Sequence, residues 1–209
     1  MTRFIVVRHG ETQWNVETRI QGQGDSPLTA AGRAQAEAIA GRLSGESFDV
    51  LVSSDLGRAT DTARRIAERR GIAIVTDARL RERDFGVGEG LTYEEIGVRF
   101  PGAFSRTRDT DPDYTIPGGE SRRAFHERVT AAFADLAREH EGRRVAVVSH
   151  GGVLATIYRF IHGIPIATPH KVATTNASYN AFAANGGQWM LESWDDTAHL
   201  PAPEPFEED

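Results

Sequence analysis

The chain of 209 residues contains no cysteine, and its only lysine is Lys171. Without cysteine it cannot form disulfides, thiolate metal sites or a cysteine nucleophile. Positive charge is therefore almost entirely arginine, and the net charge of −6 is accompanied by no long basic tract. Because nucleic-acid binding needs a basic surface, we expect no nucleic-acid partner.

Long apolar runs are also missing. The first one ends at Val7, which is too short for a signal peptide or a membrane-spanning helix. We therefore expect a soluble cytoplasmic protein with no membrane partner. Most histidines lack the spacing of metal ligands, so we expect no metal site and place these residues at the surface or at helix ends. They are His126, His140, His162, His170 and His199.

Two β-rich runs each end in a histidine. Residues 4–7 lead into Arg8 and His9, and residues 145–149 lead into His150. Ligands collect at the carboxyl ends of strands in open α/β sheets, and a guanidinium fork matches phosphate oxygens. We expect both histidines to share one pocket.

Two other charged residues are candidates for this pocket. Arg58 occupies the first turn of a predicted helix, where free N–H groups and the helix dipole favour anions. Glu82 lies in a loop after the extended segment 72–75. Taken alone, either residue is typical of a solvated surface charge, so the case for both depends on the two histidines.

Strands alternate with helices along the chain, which predicts an α/β fold with a mostly parallel sheet covered on both faces. This is a three-layer α/β/α sandwich with a closing antiparallel hairpin. We expect one domain over residues 1–196, a lid-like insertion at about 91–121, and an acidic, proline-containing tail at 197–209 that is poorly ordered from residue 199. Strands are expected at 3–7, 49–53, 72–75, 144–149, 177–183 and 188–194, and helices at about 29–43, 57–70, 92–99, 121–140 and 152–162.

Four motifs occur together in this order: residues 8–12 (Arg-His-Gly-Glu-Thr), 53–63, 80–82 (Leu-Arg-Glu) and 149–152 (Ser-His-Gly-Gly). In combination they resemble the histidine phosphatase superfamily, which contains the cofactor-dependent phosphoglycerate mutases and their phosphatase relatives. The resemblance extends over about residues 1–195. It implies a phosphoglycerate mutase-like fold, a small phosphorylated metabolite as substrate, and no cofactor or metal.

The resemblance also implies a role for each motif residue. His9 is the nucleophile that becomes a phosphohistidine, and Arg8, Arg58 and His150 form a cationic cage around the phosphoryl oxygens. Glu82 protonates the leaving alkoxide and then activates the water that cleaves the phosphoenzyme. Further substrate contacts are implied for Asn15, Gln21, Gly22 and Gly151.

The chain departs from the family pattern in the loop after Glu82. Many relatives carry an aromatic residue where this chain has Gly88, and three glycines in residues 86–90 predict a more mobile loop. We expect Arg81 and Arg83 to point away from Glu82, because alternate residues of an extended loop face opposite sides.

Three functions from different classes fit these motifs: a phosphomonoester phosphatase, a mutase, and a catalytically silent phosphate-binding protein. Retention of all five catalytic residues argues against the silent protein. The mutases that the chain resembles carry a longer insertion after the acid loop and a longer basic C-terminal segment. This shorter chain with its acidic tail favours the phosphatase. The sequence leaves open whether the chain works as a monomer or a homodimer.

Overall fold

A computed structural model describes residues 1–104, 111–168 and 171–201. Its strands are β1 (Thr2–Arg8), β2 (Val50–Ser53), β3 (Ile74–Thr76), β4 (Arg144–Ser149), β5 (Tyr179–Asn185) and β6 (Gln188–Asp196). They form one sheet in the order β3-β2-β4-β1-β5-β6. The first four strands are parallel, and β5 runs antiparallel to both β1 and β6. The predicted mostly parallel sheet with a closing antiparallel hairpin is confirmed.

The helices begin and end within about a residue of their predicted bounds. They are α1 (Gln13–Val16), α2 (Ala30–Ser44), α3 (Gly57–Arg70), α4 (Tyr93–Arg99), α5 (Arg122–Glu139) and α6 (Gly151–Ile161). The short α1 is the exception, because the sequence predicts only a loop there. Side-chain oxygens of Thr29, Thr92 and Ser121 accept backbone N–H groups in the first turns of α2, α4 and α5. None of the described helices is both long and apolar enough to span a bilayer.

Consecutive residues of β1 point to opposite faces of the sheet and join two separate apolar clusters. Phe4 packs with Phe133 of α5, with ring centroids 5.5 Å apart, in the cluster that also includes residues of α6. Ile5 belongs to the other cluster, together with Ile39 of α2 and Ile66 of α3. Helices therefore cover both faces of the sheet, and the three-layer α/β/α sandwich is confirmed.

The predicted lid, residues 91–121, includes α4 and contributes to a third apolar cluster. Ile96, Phe104 and Ile116 pack there with Ile20, which belongs to the loop that follows α1. This contact attaches the segment beside the carboxyl ends of the parallel strands. Residues 105–110 of the segment lie outside the described residues.

The sequence predicts a poorly ordered tail from residue 199, whereas His199 and Leu200 make defined contacts. Nε2 of His199 lies 2.9 Å from the backbone oxygen of Ala177, and Leu200 packs against the cluster that contains Ile39. An apolar side chain close to the end of β6 has core surface within reach, which the proline and acid content does not reveal. Residues 202–209 lie outside the described residues.

Candidate active site

Parallel pairing of β1 with β4 brings the two histidine motifs together. Arg8 and Ser149 are partners at the carboxyl ends of these strands, so His9 and His150 follow at the same edge of the sheet. Their ring centroids are 5.3 Å apart, and both side chains are buried. The two strand ends therefore place the two histidine rings side by side.

The hydrogen bond of the His9 ring selects its reactive nitrogen. Nδ1 lies 2.7 Å from the backbone oxygen of Gly10, which can only accept, so Nδ1 carries the proton. Nε2 then has a free lone pair. Burial lowers the pKa of His9 well below its usual range, and the charges of Arg58 and Arg8 lower it further. The imidazole is therefore neutral at pH 7, which is the nucleophilic form.

Both candidate arginines are held by backbone carbonyl groups. Nη1 of Arg8 donates to the oxygen of Thr174 at 2.5 Å. The Arg58 side chain, 1% exposed, donates to the oxygens of Gly24 at 2.7 Å and Gly22 at 2.6 Å. Arg58 also contacts a carboxylate, that of Asp25, at 3.2 Å. These contacts orient the two guanidinium groups while leaving Nε of each buried and unpartnered among the described residues.

His150 contributes a neutral group to the pocket. Its Nε2 lies 2.8 Å from Oγ of Ser54, and Nδ1 is buried without a hydrogen-bond partner in the described part of the chain. Burial lowers the pKa of His150 well below its usual range, and Arg58 and His9 act in the same direction. The resemblance implies a cationic cage that includes His150, whereas burial beside two arginines disfavours a third charge there. Positive charge comes from Arg8 and Arg58.

Glu82 is fixed at the first turn of α6. Its two carboxylate oxygens accept the backbone N–H groups of Arg83 at 2.9 Å and Gly152 at 2.8 Å. A Cβ atom on Gly152 would lie 2.1 Å from Oε1 of Glu82, so any larger residue there would displace the carboxylate. The carboxylate thus reaches the pocket in a defined position, although it comes from a loop.

The loop at residues 21–24 contributes Gln21 and Gly22 to another wall of the site. The amide of Asn15 accepts from the backbone of Thr12 at 3.1 Å through Oδ1, which leaves Nδ2 as its donor toward a ligand. Gly22 adopts φ +55°, a left-handed conformation that favours glycine. In this conformation the carbonyl oxygen of Gly22 accepts a hydrogen bond from Arg58.

Glu89 organises this loop, a role that the sequence does not predict. Its carboxylate accepts the backbone N–H groups of Gln23 at 2.8 Å, Gly24 at 2.7 Å and Phe85 at 3.0 Å. It therefore ties the loop that holds Arg58 to the loop that follows Glu82. The one sequence signal for this role is the position of Glu89 directly after Gly88, in the motif of residues 86–90 that resembles the family pattern.

The glycine that departs from the family pattern has a packing partner. A Cβ atom on Gly88 would lie 2.2 Å from Cζ of Phe104, so the Phe104 ring occupies the space beside this residue. Arg81 points away from the site as expected and pairs with Asp55 at 2.7 Å. The same expectation is wrong for Arg83, which lines a small cavity together with Glu82.

Most of the candidate residues line a cavity of about 570 Å³ at the carboxyl edge of the sheet. Thr92 and Tyr93 from the start of the lid also line it. The lining residues do not include His150 or Gly151. The His150 ring nevertheless lies 5.3 Å from that of His9, and a Cβ atom on Gly151 would approach Nε of Arg8 to 3.3 Å. The predicted residues that line the cavity are Arg8, His9, Asn15, Gln21, Gly22, Arg58 and Glu82.

This arrangement suits a phosphoryl group. Nε of Arg8, Nε of Arg58 and Nδ1 of His150 are buried nitrogens whose hydrogen-bonding capacity no described residue satisfies. Buried polar groups are normally paired, so their convergence at one pocket indicates a site for an anionic ligand. Within residues 1–104, 111–168 and 171–201, no three His, Asp or Glu side chains are grouped as metal ligands.

Comparison with known proteins assigns the family. The model of the histidine phosphatase superfamily (branch 1) matches residues 4–197. The chain therefore belongs to the histidine phosphatase superfamily.

Individual relatives cover nearly the whole chain. A probable phosphoglycerate mutase, GpmB of Salmonella choleraesuis, is 40% identical over 97% of this chain and 97% of its own. The structure of YhfR from Bacillus stearothermophilus has a TM-score of 0.88 and 33% identity, and covers 96% of this chain and 100% of its own. A mycobacterial glucosyl-3-phosphoglycerate phosphatase in complex with VO3 has a TM-score of 0.83 and 35% identity, with coverages of 93% and 99%. The neighbours thus include a phosphatase and a mutase homologue.

Proposed function

We propose that this protein hydrolyses phosphate monoesters of a small metabolite through a phosphohistidine at His9, without a metal ion. The observation that carries the proposal is the tautomer of His9, whose Nδ1–H is bound to Gly10 and whose Nε2 lone pair is free. Two fixed arginines at the same pocket supply the charge that phosphoryl transfer needs.

In the first step, Nε2 of His9 attacks phosphorus and forms an N–P bond while the P–O bond to the substrate breaks. Arg8 and Arg58 stabilise the negative charge on the phosphoryl oxygens, and Nδ1 of His150 donates a hydrogen bond to one of them. Protonated Glu82 gives its proton to the leaving alkoxide, so the alcohol departs uncharged.

In the second step, water attacks the phosphohistidine. The Glu82 carboxylate takes a proton from this water, and the N–P bond breaks with its electron pair returning to Nε2. Inorganic phosphate leaves, and both His9 and Glu82 are restored to their starting protonation states. The hydrogen bonds from Arg83 and Gly152 keep the carboxyl group in place for both tasks.

The alternative is a mutase that returns the phosphoryl group to a reoriented substrate instead of water. The observation that favours it is the likeness to a probable phosphoglycerate mutase over 97% of both chains. Both functions use the same first step. They differ only in whether water or a reoriented substrate accepts the phosphoryl group in the second step.

The deciding experiment incubates the purified protein with a panel of phosphate monoesters that includes 3-phosphoglycerate. Release of inorganic phosphate is measured alongside formation of 2-phosphoglycerate. We expect phosphate release with at least one ester and no isomerisation beyond that of the His9→Ala control. Isomerisation faster than phosphate release would establish the mutase, and inactivity toward all esters would contradict both functions.

A further inference from the structure

A second, smaller cavity adjoins the candidate active site. Its volume is about 200 Å³, and Glu82 and Phe85 line both cavities. In the proposed reaction Glu82 protonates the leaving oxygen, so this carboxyl group marks the point where the rest of the substrate begins. A substrate with its phosphoryl group at His9 can therefore extend past Glu82 into the second cavity.

The walls of this cavity are strongly basic. Arg83, Arg122 and Arg159 line it together with His126, which the sequence predicts at the surface or a helix end. Arg83 is 6% exposed, and Nε and Nη2 of Arg122 are buried without a hydrogen-bond partner among the described residues. Buried guanidinium N–H groups without an acceptor destabilise the folded state, unless a bound ligand accepts their hydrogen bonds.

Neutral backbone groups hold two of these arginines. Arg83 donates to the backbone oxygen of Glu120 at 3.1 and 2.9 Å, and Arg159 donates to the backbone oxygen of Thr168 at 2.6 Å. These contacts fix the side chains but do not neutralise their charge.

Carboxylates nearby are already engaged. The Glu120 carboxylate pairs with Arg128 at 2.6 Å, and Asp113 pairs with Arg123 at 2.5 Å. Glu82 is the acidic side chain that lines the cavity. Three cations therefore face one carboxyl group there, which leaves a positive excess.

The cations also repel one another. Burial, followed by the charge of Arg122, lowers the pKa of Arg83 to about 10. Burial and Arg122 likewise lower the pKa of Arg159. Both groups stay charged at pH 7, so an anion between them would relieve the repulsion.

We propose that this cavity binds a second anionic group of the substrate, a carboxylate or a phosphate. Both anions match the planar fork of a guanidinium group. Resting on the proposed phosphatase activity, this inference narrows the substrate class to phosphate monoesters that carry another anion near the esterified carbon.

The test compares two esters of similar size. 3-Phosphoglycerate carries a carboxylate where glycerol 3-phosphate has a hydroxymethyl group, so the ratio of their kcat/KM values isolates the second anion. Wild type should prefer 3-phosphoglycerate, and Arg122→Gln should reduce the ratio roughly 10- to 100-fold, as expected for losing a charge-assisted hydrogen bond. Arg122→Lys keeps the positive charge but loses the planar guanidinium fork. Its ratio of kcat/KM values should therefore lie between those of wild type and Arg122→Gln. Propane-1,3-diol bisphosphate tests a phosphate in place of the carboxylate.

Arg123→Gln is the matched control, because its arginine is the chain neighbour of Arg122 but is exposed and paired with Asp113. Its ratio should equal that of wild type. A wild-type enzyme without preference for either second anion would overturn the proposal, and so would equal ratios in Arg122→Gln and Arg123→Gln.

Failure of the phosphatase proposal itself would look different, because no ester would then be hydrolysed. In that case calorimetric binding of the two esters to wild type still tests the subsite. Tighter binding of 3-phosphoglycerate supports it, and equal affinities overturn it.

Discussion

Replacing Glu82 with glutamine separates proton donation from mere shaping of the pocket. Glutamine has nearly the same shape but cannot give a proton to the leaving oxygen. General acid catalysis contributes about 10²- to 10⁴-fold to a rate. The first step should slow by this factor for a substrate with a poor leaving group, such as a sugar phosphate. An aryl ester, p-nitrophenyl phosphate, leaves with little help and should lose less than about tenfold.

The structure adds a second consequence of this substitution. Two backbone N–H groups, of Arg83 and Gly152, donate to the two oxygens of Glu82. Glutamine has one acceptor oxygen, so one N–H group loses its partner at a cost of about 1–3 kcal/mol. Thermal unfolding of Glu82→Gln should therefore shift downward, and rates must be measured well below that transition.

Gly152→Ala provides an independent check that leaves Glu82 intact. The added Cβ would lie 2.1 Å from Oε1 of Glu82, so the carboxyl group must move away from its position. We expect the same leaving-group pattern as for Glu82→Gln. The assay is the burst phase in rapid-mixing kinetics, which reports phosphorylation of the enzyme. Equal losses for the sugar and aryl esters in that phase would refute the role of Glu82 as the acid.

Two further predictions concern protons and metals. His9 and His150 are buried with pKa values below 6.5, and in the unfolded chain they take up protons near pH 6.5, so stability should be greatest above that pH and fall below it. Each histidine can lower the free energy of unfolding by at most about 1.4 kcal/mol per pH unit. A free energy of unfolding in urea that does not change between about pH 7 and pH 5 would contradict the burial of both histidines as neutral groups. Phosphatase activity should survive EDTA and be inhibited by vanadate; loss on chelation that magnesium or zinc restores would require a different mechanism.

The sequence predicts the framework of the site because its signals are local. A strand that ends in Arg8 and His9, and another that ends in His150, place these residues by the geometry of a parallel sheet alone. Helix bounds follow from capping residues such as Thr29 and Ser121, whose side chains act within three residues of themselves.

Contacts between distant loops have no such signature. The carbonyl of Thr174 that holds Arg8, and Ser54 beside His150, are joined to the site only by the fold. The same holds for Phe104, which fills the space beside Gly88. Periodicity says nothing about which irregular segments meet, so these partners could not be predicted.

Arg83 shows why a local rule can also mislead. Alternation in an extended loop predicts that it faces away from Glu82, whereas its guanidinium group turns toward the backbone oxygen of Glu120. The contact forms because residues 119–120 approach the loop: the N–H of Glu120 donates to the oxygen of Asp84 at 3.0 Å. The direction of a long flexible side chain depends on such neighbours more than on its own backbone.

The most direct test of the mechanism is the site of phosphorylation. Rapid quenching with a labelled phosphate ester should yield a phosphoprotein that is labile to acid and stable to base. Mass spectrometry should place the group on His9. His150→Ala keeps the nucleophile and should still form this species at a reduced rate, whereas His9→Ala should form none. Label that persists in His9→Ala, or that maps to His150 in the wild type, would contradict the assignment of His9 as the nucleophile.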